Sequence, residues 1–324
     1  MENLPIVRVR KIHSLDIITS AYNEEESLVA LYQRISNVMN LHPECQWRLL
    51  IADNDSSDQT WNIVQEIASR DSRVIGYRFS RKFNLDAALT CGLDLAEAEA
   101  VVLMCSDLQD PPELITEFIE GYEQGFDQVL AKVIAREGTP WQTRIMVKLF
   151  YRIINRLSRG LVPENVSDFR LASRSCYEAA RKLREQKRFL RGQFSWVGFK
   201  TKEVEFVRPD REFGSSHFSV DGLSTNIPTA ILSIFAHSSL PLFFLALIGL
   251  VLGGLSAVSL IGFIAFWLLW GVPFAGFGII VSLLVGLIAA VFGGIGIIAF
   301  YISAIYEEVK NRPLYIIRDK INMN

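Results

Sequence analysis

The run Val101–Leu114, VVLMCSDLQDPPEL, sets Asp107, Gln109 and Asp110 directly behind five mostly apolar, strand-like residues and ahead of a double proline that forbids the strand from continuing. Asp107 and Gln109 stand two apart after a strand, so both can turn an oxygen toward one cation. Mg²⁺ or Mn²⁺ takes oxygen ligands in octahedral geometry, usually from one or two carboxylates, substrate phosphates and water. A carboxylate repels a polyphosphate unless such a cation lies between them. The chemistry this loop suits is therefore a metal-diphosphate seat. Glu24 in YNEEES and Asp53 and Asp55 in DNDSSDQT form comparable acidic clusters.

These clusters need elements to hold them. Leu15–Ser20, Trp47–Ala52, Val74–Phe79 and Ala100–Cys105 read as short strands. Between them, Leu28, Leu31, Ile35 and Met39 repeat with a helical period, and further helices are expected from near Thr60 and over Asp86–Ala96. Strands alternating with helices at this spacing predict an α/β fold with a mostly parallel, two-sided sheet. Ligands of such sheets bind beyond the carboxyl ends of the strands, where all the acidic clusters fall.

The rest of the chain is unlike this. Between Asp221 and Glu307 there is no Asp, Glu, Lys or Arg, and His237 is the only residue there that titrates near neutral pH. Gly271-Val272-Pro273 divides this stretch into two apolar runs, each longer than the roughly 20 residues a membrane helix needs. Two spans without a signal peptide form a hairpin. Lys310, Arg312, Arg318 and Lys320 follow it and Arg208 and Arg211 precede it, so its shared side is expected to be the cytoplasm. The expected organisation is a cytoplasmic catalytic domain over 1–220, an interfacial amphipathic segment over 221–237, two transmembrane helices within 238–306 and a cytoplasmic tail over 307–324 of a multi-pass inner-membrane protein. Arg144, Lys148, Arg152 and Arg156 recur every four residues among apolar neighbours, a pattern that suits a membrane-surface helix and equally a helix packed on the sheet with a solvated basic face. Gly293-Gly294-x-Gly296 permits close helix contact, so a homo-oligomer is expected. A net charge of -2 argues against a general nucleic-acid binder. The cysteines Cys45, Cys91, Cys105 and Cys176 lack metal-site spacing.

IITSAYNEEESL (17–28), IADNDSSDQT (51–60), FSRKFNLDAALTCGL (79–93), VVLMCSDLQDPPE (101–113), SDFRLASR (167–174) and RFLRGQFSWVGF (188–199) resemble, in order, the motifs of polyprenyl-phosphate glycosyltransferases of glycosyltransferase family 2, enzymes similar to dolichyl-phosphate mannose synthase. The last motif and the C-terminal hairpin resemble the bacterial bactoprenol glucosyltransferase branch. The resemblance implies a GT-A fold, a nucleotide-sugar donor with UDP-glucose favoured over GDP-mannose or another UDP-sugar, a polyprenyl phosphate acceptor, membrane lipid contact, and transfer with inversion.

It also implies roles for particular residues. Ala21, Tyr22, Glu24 and Lys82 would line the nucleotide pocket, with Asp53 accepting a hydrogen bond from the base. Asp107 and Gln109 would hold the metal, and Asp107 and Asp168 would be the catalytic carboxylates, although Asp168 also suits a helix N-cap before FRLASR. Arg136, Arg144, Arg211, Ser216 and His217 would meet the lipid phosphate. Cys105 departs from the family pattern, standing where an Asp-x-Asp motif has its first Asp, and Lys82 and Asn84 replace the Asn and Gly of R-N-F-G. A thiol suits Mg²⁺ poorly, so the seat would rest on Asp107, Gln109 and phosphate oxygens, and a non-catalytic sugar-nucleotide scaffold stays open as the alternative.

Overall fold

The computed structural model describes residues 10–136, 166–186, 188–209 and 276–322, with isolated positions at 251, 258, 265 and 269. The basic stretch around Arg144, the segment carrying Arg211, Ser216 and His217, the 221–237 segment and most of the first apolar run lie outside these residues. The chain divides into two units, one of Met1–Ser219 with Arg312–Asn324 and one of Val220–Asn311.

In the first unit the expected alternation appears as β1 (Ser14–Ala21), α1 (Leu28–Met39), β2 (Gln46–Asp53), α2 (Thr60–Arg70), β3 (Val74–Phe79), α3 (Leu85–Leu95), β4 (Ala100–Cys105) and α4 (Leu114–Glu123). There follow β5 (Gln128–Arg136), β6 (Val166–Ser173), α5 (Arg174–Arg181), α6 (Leu190–Trp196), β7 (Thr201–Arg208) and β8 (Ile317–Ile321). One sheet holds all eight strands in the order β7-β5-β6-β4-β1-β2-β3-β8. Strands β4, β1, β2 and β3 run parallel, β6 joins β4 antiparallel, and β8 closes the far edge antiparallel to β3.

Alternation along the strands builds the two faces. In β4, Val102 and Met104 face a core completed by Leu31 of α1, Val64 of α2 and Phe118 of α4. Val101 and Leu103 face the other core, with Leu89 of α3, Tyr177 of α5 and Phe194 of α6. Because both faces of the central strands are covered, their sequences are almost continuously apolar. Gly92 lets α3 lie close to the sheet, since a Cβ there would stand 2.2 Å from Ile18 Cγ2.

Not every buried acid is at the strands' carboxyl ends. Asp16 is 1% exposed, takes a two-pronged contact from Arg48 at 2.7 and 2.8 Å, and accepts the backbone N–H groups of Glu97 and Ala98. It staples the opposite end of the sheet.

The second unit shows one long helix, α7 (Phe277–Lys310), which ends at Asn311 in the left-handed conformation. Among the described residues no helix is long and apolar enough to cross a membrane. The backbone of α7 is nevertheless helical over 34 residues, without Asp, Glu, Lys or Arg before Glu307. Leu283, Leu284, Leu287, Ile288, Val291, Ile295, Ile298 and Ile302 are exposed along it.

Candidate active site

Among the described residues, the sheet's topology brings Ala21, Asp53 and Cys105 to one edge. Ala21 lies beside Asp53 in the β1–β2 register, and Ser20 beside Cys105 in the β1–β4 register. Asn54 donates its backbone N–H to Ala21 O at 2.9 Å, and Ser106 donates its hydroxyl to Ser20 O at 2.8 Å, so the three loops are tied together. Strand β6 runs antiparallel to β4 with Leu103 beside Arg170, and Asp168, two residues before Arg170, lies close enough to Cys105 for its charge to act on that thiol. Arg136 and Arg208 end β5 and β7 side by side at the same edge.

Asp168 is a strand residue, not a helix cap. Ser173 caps the next helix instead, accepting Cys176 N at 3.4 Å. Arg191 of α6 grips Asp168 with Nε at 3.2 Å and Nη2 at 2.8 Å. Burial pushes the Asp168 carboxyl up, but the charge and hydrogen bonds of Arg191, helped by Arg170 and Arg208, outweigh it and hold the carboxyl below its ordinary value. Burial lowers the Arg170 guanidinium to about 10. Arg191 stood in a recognised motif, yet its role required the distance to be seen.

The Asp107 loop is tightly wound. Gln109 N donates to Asp107 Oδ1 at 3.2 Å, and Leu108 between them takes φ 60°, a left-handed conformation that costs a non-glycine residue about 1 kcal/mol or more. Asp110 turns inward: 1% exposed, it accepts Cys105 N at 3.0 Å and faces Arg208 Nη2 at 3.6 Å. Burial pushes its carboxyl up to about 6. Of the two aspartates in the opening motif, Asp110 therefore shapes the loop and Asp107 is the half-exposed one. The Cys105 thiol is pushed well above its ordinary value by burial, so it stays neutral and supplies no hard ligand. The described residues hold no group of three metal-ligating side chains. What remains fits a one-carboxylate cation seat that substrate phosphates and water complete.

On the β2 side, Asp53 is fully buried. Its Oδ1 accepts Ser56 N at 3.2 Å, and its Oδ2 lies 3.0 Å from Arg78 Nε without hydrogen-bond alignment. Burial raises this carboxyl, against the Ser56 hydrogen bonds and the Arg78 charge. Enclosed in this way, Asp53 anchors the loop after β2 through Oδ1 and keeps Oδ2 without an aligned donor. Asn54 is the member that sequence reasoning missed. Its amide both donates to Phe83 O at 2.8 Å and accepts Phe83 N at 2.7 Å, clamping the β3–α3 loop onto the β2–α2 loop in a way that a carboxylate could not. That clamp holds Lys82, whose ammonium sits 3.4 Å above the Tyr22 ring. Asn84, standing at the Gly of R-N-F-G, caps α3 by accepting Ala87 N. Glu24 accepts the Ser27 hydroxyl at 2.6 Å, and its backbone N–H goes to Thr60 Oγ1 at 2.8 Å.

Asp86 was also missed. In the first turn of α3, its carboxylate accepts Leu190 N at the start of α6, the helix that carries Arg191. Burial first, then the charge of Asp168, pushes it up to about 6 from 3.8. Its folded value is raised, so its contribution to stability is full below about pH 4 and is lost as pH rises through about 6. Asp86→Asn keeps an acceptor for Leu190 N without the charge. Thermal unfolding between pH 4 and 7.5 is expected to show a smaller loss of stability with pH in this variant; an equal loss in both proteins would refute the linkage.

With this geometry in view, the chain can be set beside known proteins. The pattern of Glycosyl transferase family 2 matches residues 16–180. The SfII prophage-derived bactoprenol glucosyl transferase of Shigella flexneri is 35% identical over 306 residues, covering 94% of this chain and 97% of that one. The chain belongs to glycosyl transferase family 2. This family 2 glycosyltransferase is also 34% identical to the uncharacterized glycosyltransferase YkcC of Bacillus subtilis, covering 93% of this chain and 92% of YkcC. Among solved structures, glucosyl-3-phosphoglycerate synthase from Mycobacterium tuberculosis, in complex with Mn²⁺, UDP and phosphoglyceric acid, overlays with a TM-score of 0.48 at 18% identity, covering 69% of this chain and 78% of that one.

Proposed function

We propose that this glycosyltransferase moves glucose from UDP-glucose to the phosphate of a polyprenyl phosphate, with inversion, at the cytoplasmic face of a membrane. The observation that carries the reading is the gathering of Asp107, Asp168, the Tyr22–Lys82 pair and the ends of β5 and β7 at one edge of the sheet. Near-full-length identity to bactoprenol glucosyl transferases supports the acceptor class. Ala21, Tyr22, Glu24 and Lys82 line the nucleotide pocket, and Asp53 accepts a hydrogen bond from the base. Asp107 and Gln109 hold a divalent cation, Mg²⁺ or Mn²⁺, which when bound neutralises the leaving diphosphate.

A phosphate monoester has its second pKa near 6, so the acceptor is already largely dianionic at neutral pH and needs little help from a base. Asp168 is accordingly committed to Arg191, and the pair orients the sugar that binds beside it. Arg136, Arg144, Arg211, Ser216 and His217 are assigned to the lipid phosphate.

The membrane part of the reading rests on α7. At 1.5 Å per residue its 34 residues extend about 50 Å, more than the roughly 30 Å of a hydrocarbon core. Its row of exposed Leu, Ile and Val suits lipid rather than water. Chain both before Val220 and after Asn311 belongs to the catalytic unit, so the segment between them crosses an even number of times. We assign two crossings, with the glycines of α7 available for contact between copies.

Membranes containing the protein, given radiolabelled UDP-glucose and undecaprenyl phosphate, are expected to yield label that extracts with lipid. A panel of UDP- and GDP-sugars reads the donor. Label found only in soluble polymer, or none at all, would overturn the proposal.

A further inference from the structure

After α7 the chain returns to the catalytic sheet, and its landing place is specific. Strand β8 pairs with β3, with Ile317 beside Phe79 and Asp319 beside Arg78. Ahead of the strand, Ile316 O accepts Ser80 N at 2.9 Å. The Tyr315 ring stacks on Phe79 at 5.9 Å and 20°, and Phe79 meets Phe83 edge-on at 5.5 Å and 80°. Tyr315 also donates its hydroxyl to Asp94 at 2.9 Å. Phe83 is the residue clamped by Asn54, and its neighbour Lys82 covers Tyr22. On the other side of β3, Arg318 Nη1 lies 3.6 Å from Asp55 Oδ1, the same oxygen that Arg78 Nη2 faces at 4.0 Å. Asp55 holds φ 60° in the loop after β2.

Covering an exposed sheet edge needs only main-chain pairing and some charge. The tail does more. One aromatic side chain buttresses the 81–84 loop through Phe79, and one guanidinium neutralises the 53–56 loop. We propose that Tyr315 and Arg318 are positioning residues for the donor nucleotide, holding these two loops at the spacing it requires, so that the donor site is complete only when the chain's last strand has docked. The inference rests on the nucleotide-sugar reading above and extends it to a segment that sequence reasoning treated as a tail.

The test uses the full-length protein in nanodiscs and measures UDP affinity by calorimetry together with separate KM values for donor and lipid acceptor. Losing one arm of an aromatic stack is expected to raise the UDP Kd and the donor KM of Tyr315→Ala about 3- to 10-fold. Arg318→Ala, which removes a half-exposed pair, is expected to raise them about 2- to 3-fold. The acceptor KM stays unchanged in both, while Tyr315→Phe and Arg318→Lys recover most of the affinity. Should Tyr315→Ala not fold, Tyr315→Leu and Arg318→Ala carry the comparison. A lower melting temperature with an unchanged UDP Kd would reduce the tail to edge cover and overturn the proposal. Wild-type protein that binds UDP but glucosylates no polyprenyl phosphate overturns the acceptor reading alone, since the tail's role is read from the Kd.

Discussion

Asp107→Asn is expected to lower kcat/KM for sugar transfer about a thousandfold, equivalent to about 4 kcal/mol of transition-state stabilisation. The substitution is chosen for what it retains. Asparagine keeps an acceptor for Gln109 N, so the left-handed turn at Leu108 has the same support and the loop keeps its shape. What it loses is the half-exposed aspartate of the motif, since Asp110 is buried against Cys105 N and Arg208 and Glu113 is paired with Arg34. A Mn²⁺ titration of UDP binding separates the cause: the variant should bind UDP no better with the metal than without it. Turnover within about tenfold of wild type would place the cation elsewhere.

The second large effect concerns the Asp168–Arg191 pair. Arg191→Ala leaves a carboxylate that burial pushes up without the cation that counters it, so the Asp168 value is expected to rise. Activity that needs the ionised form is lost as pH falls through that value, and the acid limb of kcat/KM against pH therefore moves to higher pH. Turnover near neutrality should fall about a hundredfold, because the pair no longer holds its geometry. Arg191→Lys, which keeps the charge but not the two-pronged grip at 3.2 and 2.8 Å, should restore the acid limb more than the rate. If the acid limb stays in place in Arg191→Ala, Asp168 is not the group that limits activity in acid.

Much of the catalytic unit was legible in the chain. Val74–Phe79 and Ala100–Cys105 form strands with the predicted bounds, and Leu28, Leu31, Ile35 and Met39 form the buried stripe of α1. Strand apolarity and helical period are local properties, so a short window carries them. The acids after β1, β2 and β4 were also legible as residents of the sheet's carboxyl edge, because parallel connection puts successive carboxyl ends together. Their separate fates were not. Asp53 and Asp110 have the same side chain and the same kind of setting as Asp107, and only the placement of Arg78, Ser56, Cys105 N and Arg208 turned them inward.

The chain by itself determined an alternating α/β unit, a charge-free C-terminal stretch and a family with its reacting groups at strand ends, because period, charge and motif order are read along the sequence. Tertiary structure alone decided that β6 enters antiparallel beside β4 and brings Asp168 under Arg191, and that β8 closes the β3 edge beside the 53–56 and 81–84 loops. Both depend on pairing between segments far apart in sequence. Register across such distances is set by which faces the whole sheet must bury, and no local window contains that information.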